Sequence, residues 1–305
     1  MQTEDKEKKK CRFLLFCGVG ILFFVCKCLL FWKKVLILPK QIFNSQGVKI
    51  KEVISTLERF APLPLQDGYD NAGLQVGLTE AEVSGVLLCL DVTEAVVEEA
   101  VREGCNLIVA HHPLVFRPLR QVSGVSYVER CVMAAIKHDI TIYAAHTNLD
   151  NAEGGVSFEM ASRMGLVGAE FLQANERGGG SGVVAHFSAA VAAKDFIDGV
   201  KTVFGVECAM CNELLERPIS RVAVCGGAGD FLLPDAVAKG VDAFVTGEMH
   251  YHQYFGYERQ IQIVVIGHYQ SERFTMELLK RLLVNDFPDI RAAVTKCNTN
   301  PIIYM

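Results

Sequence analysis

From residue 85 onward the chain repeats one device: a short apolar run, then a stretch with helical periodicity. The runs are GVLLCL (85–90), LIVA (107–110), ITIYAA (140–145), RVAVC (221–225), FVT (244–246) and IQIVVI (261–266). Runs this short, apolar and rich in β-branched residues fit strands covered on both faces. A further strand is expected at 183–192. Helical patterns fall at 49–60, where Val53, Ile54, Leu57 and Phe60 share a face, and at 125–138, 193–204 and 270–283. Another follows Thr93, a good N-cap, and closes at Gly104. Strands alternating with helices predict the α/β class, with a mainly parallel sheet in each half. Pro62 and Pro64 end the first helix, and the turn-forming stretch QDGYDNAG (66–73) follows as a loop. A glycine-rich break, GGGSG (178–182), reads as a linker or turn.

Residues 1–47 differ in character. The segment 13–32, FLLFCGVGILFFVCKCLLFW, is almost wholly apolar, with lysines on both sides. Twenty helical residues would just cross a bilayer core. Three readings are open: a membrane anchor, a targeting segment, or a start codon assigned too early, with translation beginning at Val48. A cytoplasmic protein is expected on the last reading, and a membrane-anchored one through 13–32 on the first.

Charge and cysteines narrow the function. The net charge is −5, yet residues 1–47 carry nine Lys/Arg against three acids, which leaves the body near −11. An acidic body is a poor match for a phosphate backbone, so no nucleic-acid partner is expected; it does suit a protein that collects cations. Of 11 cysteines, four lie in the leader and seven are scattered through the body. An odd, scattered set argues for free thiols in a reducing compartment. Cys208 and Cys211 form a lone CxxC with no second pair to complete a zinc site, and are read as ordinary thiols.

The chemistry is expected at strand ends, where open α/β sheets place their sites. Three strands run into metal-ligating residues. LIVA leads into His111 and His112, followed by Pro113, which forces a turn. The run at 140–145 leads into His146 and then Asp150. The run at 261–266 leads through Gly267 into His268 and Glu272, four apart and so on one helical face. His111, His112, Asp150, His268 and Glu272 supply three imidazoles and two carboxylates, a plausible shell for two divalent ions. Glu272 is expected to bridge them. His138, His186 and His252 read as structural. Mixed imidazole and carboxylate ligands suit Zn, Fe, Mn or Ni.

The segments YDNAGLQVG (69–77), LIVAHHPLVF (107–116), HTNLDNAEGG (146–155), TGEMHYH (246–252) and GHYQSER (267–273) together resemble the Nif-three-like family, also called GTP cyclohydrolase I type 2 homologues. The resemblance covers about residues 48–305. It implies two metal ions on the same five residues, and two related α/β lobes. The first lobe would span 48–177 and be completed by 261–305; the second would span 178–260. It also implies a homohexamer, a trimer of dimers with the metal sites facing an inner cavity. Residues 178–182 mark a place where some members carry an inserted domain. Tyr69 stands where an aromatic residue, often Trp, is common.

Two functions are carried forward. One is a metal-dependent hydrolase acting on a nucleotide or other small substrate, with Asp70, His146 and Glu248 as candidates for proton transfer or for orienting the ligands. The family label suggests opening of the guanine ring of GTP. The other is a non-catalytic metal carrier or regulatory scaffold. There is no P-loop and no GxGxxG between a strand and a helix. The segment CGGAG (225–229) could approach a phosphate or simply make a tight turn.

Overall fold

Side chains alternate across a strand, so a four-residue apolar run can feed two cores at once. Val86 and Leu88 enter one core and Leu87 and Cys89 another; Leu107 and Val109 divide from Ile108 and Ala110 in the same way. The computed structural model describes residues 47–305, and its architecture follows from this division. The expected span at 13–32 lies outside the described residues. Among the described residues, no helix is long and apolar enough to cross a membrane.

The first sheet has the order β1-β4-β3-β2-β11, with β1 Gly73–Val76, β2 Val86–Cys89, β3 Leu107–Ala110, β4 Thr141–Ala144 and β11 Ala292–Val294. Its strands are parallel except for β1, which runs antiparallel to β4. Helices α1 (Ile50–Phe60) and α9 (Thr275–Asp286) pack on one face. Helices α2 (Glu94–Glu103) and α3 (Tyr127–Lys137) cover the other. Thr93 accepts a hydrogen bond from the Val96 amide, and Gly104 closes α2 in the left-handed conformation, as the sequence predicts.

The second sheet has the order β5-β6-β8-β9-β10-β7. Its strands are β5 Val167–Ala174, β6 Gly180–Val191, β7 Met210–Cys211, β8 Ile219–Cys225, β9 Ala243–Thr246 and β10 Gln262–Val265. Helices α5 (Val156–Arg163) and α6 (Ala193–Phe204) cover one face, and α7 (Leu233–Ala238) lies on the other. Two short helices, α4 (Thr147–Asp150) and α8 (His268–Glu272), complete the order.

Three expectations need correction. The second sheet is mixed rather than mainly parallel: β8, β9 and β10 are parallel, but β5-β6, β6-β8 and β7-β10 are antiparallel. Of the linker and the turn, the glycine stretch at 178–182 is the turn: it lies in the hairpin that runs into β6, so β5 and β6 return beside each other. β10 pairs with β9, so residues 261–266 belong to the second sheet; only α9 and β11 return to the first. The expected helix 270–283 is two helices. It breaks at Arg273–Phe274, where the Phe274 ring packs on Phe204 and beneath the Arg163 guanidinium.

Candidate metal centre

The ends of β3 and β4 in one sheet and of β10 in the other converge, so the site is built at the junction of the two sheets. His111 and His112 extend the parallel ladder beyond β3: their amides donate to the Cys89 and Leu90 carbonyls. The two rings then diverge to opposite anchors. His111, fully buried, has Nδ1 2.7 Å from the Ala145 carbonyl oxygen. His112 has Nδ1 2.7 Å from Asp91 Oδ1. At the end of β10, His268 has Nδ1 2.9 Å from Glu248 Oε1.

Those anchors fix the protons. A carbonyl oxygen can only accept, so His111 Nδ1 must carry the hydrogen, and burial holds this imidazole below its ordinary pKa and neutral. Its Nε2 is then a lone pair. That atom is buried and has no hydrogen-bond partner. It faces Asp150 Oδ1 at 3.7 Å and Glu272 Oε1 at 3.8 Å. These gaps are too long for hydrogen bonds. Two bonds of about 2.0–2.2 Å to one cation can bridge them.

The other Glu272 oxygen meets the remaining imidazoles. His112 Nε2 and His268 Nε2 each lie 3.0 Å from Glu272 Oε2, and 3.3 Å from each other. Burial opposes charging His112, but the Asp91 and Glu272 carboxylates raise it to about 10. His268, opposed in the same way by burial, is raised to about 9, chiefly by Glu272. Burial would raise Glu272, yet the imidazoles around it hold it well below the usual carboxylate range. Asp150 is pushed well up, by desolvation and then by the Glu272 charge. One carboxylate ionised at the expense of its neighbour, and imidazolium standing in as the counter-charge, is a donor set that a cation would relieve. His111, His112 and Glu272 offer ligand atoms all within 4.8 Å of one another.

The three candidate proton-transfer residues fall around this cluster. Asp70 accepts from the Asn71 amide at 2.7 Å, the Thr147 amide at 3.1 Å and the Thr147 hydroxyl. Burial would raise its pKa, but the bonds it receives, first from His146, bring it down to about 2. As an ionised acceptor it takes the proton on His146 Nδ1, 2.7 Å away. The His146 ring stands 5.4 Å, centre to centre, from both His111 and His112. Glu248 is the half-exposed anchor of His268. A pocket of about 160 Å³ is lined by His146, Asp150, His268 and Glu272, with Tyr69 and Phe231 among its other walls.

Two residues escaped the sequence reading. Asp91 holds His112, and Thr299 holds Asp91 through a 2.8 Å bond to Oδ2. Asp91 lies just beyond a fourth strand, β2, so the strand-end rule that found the ligands would have reached it; Thr299 carries no such signal. CGGAG (225–229) is a tight turn. Its Gly226, Gly227 and Gly229 amides donate to the Ser157, Ser271 and Thr246 hydroxyls, which leaves those three unavailable to a phosphate.

A family model described as Duf34/NIF3 (NGG1p interacting factor 3) matches residues 48–301. The chain belongs to that family. A Clostridium acetobutylicum protein named GTP cyclohydrolase 1 type 2 homolog is 30% identical over 230 residues, 74% of this chain and 86% of the relative. A solved Staphylococcus aureus hypothetical protein superposes with a TM-score of 0.79 at 28% identity, covering 85% of this chain and all of that one. A solved Bacillus cereus protein related to NIF3 gives 0.77 at 25% identity, covering 86% of this chain and all of that one.

In this Duf34/NIF3 member one glycine makes room for the cluster and a second lets the chain turn into it. At Gly227 (φ +60°) a Cβ would come 2.3 Å from Glu272 Oε1. At Gly267, φ is +96° and ψ 141°, near a region that side chains avoid, and a Cβ would meet Gln270 Oε1 at 2.3 Å. Gly267→Ala is therefore expected to destabilise the protein by about 1–3 kcal/mol, read by urea unfolding of the full chain; an unchanged midpoint would contradict the strain.

The raised imidazoles give a second expectation. Without an ion, His112 and His268, at about 10 and 9, are protonated at neutral pH. A cation must displace those protons, so affinity should rise with pH through neutrality and level off only above about 10, once both imidazoles are neutral. Titration calorimetry with zinc at pH 7, in buffers of different ionisation enthalpy, should show proton release. Heats independent of the buffer would count against it.

Proposed function

We propose that the protein holds two divalent cations on His111, His112, Asp150, His268 and Glu272 and acts as a metal-dependent hydrolase on a nucleotide or other small substrate. The observation that carries this reading is the buried His111 Nε2, a lone pair without a donor, facing two carboxylates across gaps of 3.7 and 3.8 Å. His112 and His268 would share one Glu272 oxygen, and His111 and Asp150 would lie toward the other. Bound divalent cations lower the pKa of water and stabilise negative charge on an attacked group; Zn, Fe, Mn and Ni all suit these ligands.

The chain's own groups supply the rest. Asp70 keeps the proton on His146 Nδ1, which leaves Nε2 as the ring atom that exchanges a proton beside the cluster. The carbonyl of Ala145 and the carboxylates of Asp91 and Glu248 hold the three ligating rings in orientation. The relatives named GTP cyclohydrolase 1 type 2 homolog make a purine nucleotide the first substrate to test. A homohexameric trimer of dimers is part of the same reading. So is a cytoplasmic home, with which the free cysteines of the described residues agree.

A second reading, a non-catalytic metal carrier, draws on the pocket. At about 160 Å³ it is smaller than the ~300–1,000 Å³ usual for small-molecule sites. The two part on one experiment. Full-length protein is loaded with Mn, Fe or Zn and offered a panel of nucleotides. Hydrolysis is expected, lost in His112→Ala along with bound metal. In His146→Gln it should fall about 10²–10⁴-fold with metal content intact. Two ions per chain and no turnover on any nucleotide would favour the carrier.

A further inference from the structure

We propose that Thr299 is a positioning residue for the metal centre, acting through Asp91 on His112. The inference rests on the metal-binding reading above.

The route is short and each step is a direct contact. β11 lies parallel to β2, in register from Ala292 opposite Val86 to Val294 opposite Leu88. The Thr295 amide then donates to the Leu88 carbonyl at 2.8 Å, and the Lys296 amide to Glu99 at 2.9 Å. The chain is thus held alongside β2 up to the point where β2 runs out into Leu90 and Asp91. There Thr299 Oγ1 donates to Asp91 Oδ2 at 2.8 Å, while Asp91 Oδ1 takes the His112 Nδ1 proton at 2.7 Å.

A carboxylate holding a ring through one oxygen can still rotate about its Cβ–Cγ bond. Engaging the second oxygen fixes its plane, and with it the direction of the His112 ring and of the Nε2 lone pair. Fixing a ligand before the ion arrives removes an ordering cost from binding. The same segment reaches a second ligand-bearing loop. The Tyr304 hydroxyl stands against Gly267, where a Cβ would come within 2.8 Å of it, directly before His268. One stretch of chain therefore lies against loops from both sheets.

Asp91 keeps a side-chain exposure of 34%, so water can replace part of the lost bond and the effect should be modest. Thr299→Val, nearly isosteric, is expected to weaken zinc binding by the full-length protein about tenfold, the low end of the range for groups that orient metal ligands. Thr299→Ser, which restores the hydroxyl, should return to within twofold of the parent. In an Asp91→Ala background, Thr299→Val should add nothing, because its route is gone. Competition with a chelating dye reads the affinities, and urea midpoints check folding; should Thr299→Val fold poorly, Thr299→Ala takes its place in the same cycle. Parent protein that binds zinc while the hydroxyl-free variant binds it equally well overturns this inference and leaves the metal reading intact. An equal loss in the Asp91→Ala background overturns it too, assigning the effect to packing. Parent protein that binds no zinc overturns the metal reading itself, and this inference with it.

Discussion

The site depends on how three imidazoles spend their Nδ1 protons. Each proton goes to a fixed acceptor outside the cluster: the Ala145 carbonyl, Asp91 or Glu248. Once those are committed, each Nε2 faces inward to the acids, His112 and His268 onto one Glu272 oxygen and His111 toward the other. For His111, buried and neutral, no proton is left to make that inward contact favourable. A buried lone pair opposite carboxylate oxygens is unfavourable unless something positive lies between them. The cluster's form thus follows from donor and acceptor accounting, before any family is considered.

The fold serves this arrangement by bringing two sheets end to end. The first supplies His111, His112 and Asp150 from adjacent parallel strands, and the second supplies His268 and Glu272 beyond β10. Neither sheet carries a complete ligand set. Site geometry is then coupled to how the lobes pack, and α9 and β11 cross back to the first sheet to secure it. Sites between lobes are common because the ends of strands leave backbone and polar groups facing a cleft.

Much of this was legible in the sequence because its signals are local. The apolar runs marked six strands within a residue or two, and Thr93 and Gly104 marked the ends of α2. The five residues chosen at strand ends do come together in space. What stayed hidden is what pairing decides. Strands β1, β5 and β11 are short or half-exposed and lack a buried run; their place comes from hydrogen bonds to a neighbour distant in sequence. The sheet to which β10 belongs is set by its pairing with β9, which no periodicity encodes. Thr299 looks like any polar loop residue until Asp91 and His112 are beside it.

The most direct test is crystallographic. Crystals of the protein grown with zinc and measured at the zinc absorption edge locate every bound ion by its anomalous signal. A strong peak about 2.0–2.1 Å from His111 Nε2, shared with Asp150 or Glu272, is the predicted result. An ordered map with no anomalous density there, and a water or nothing against that nitrogen, would contradict the account.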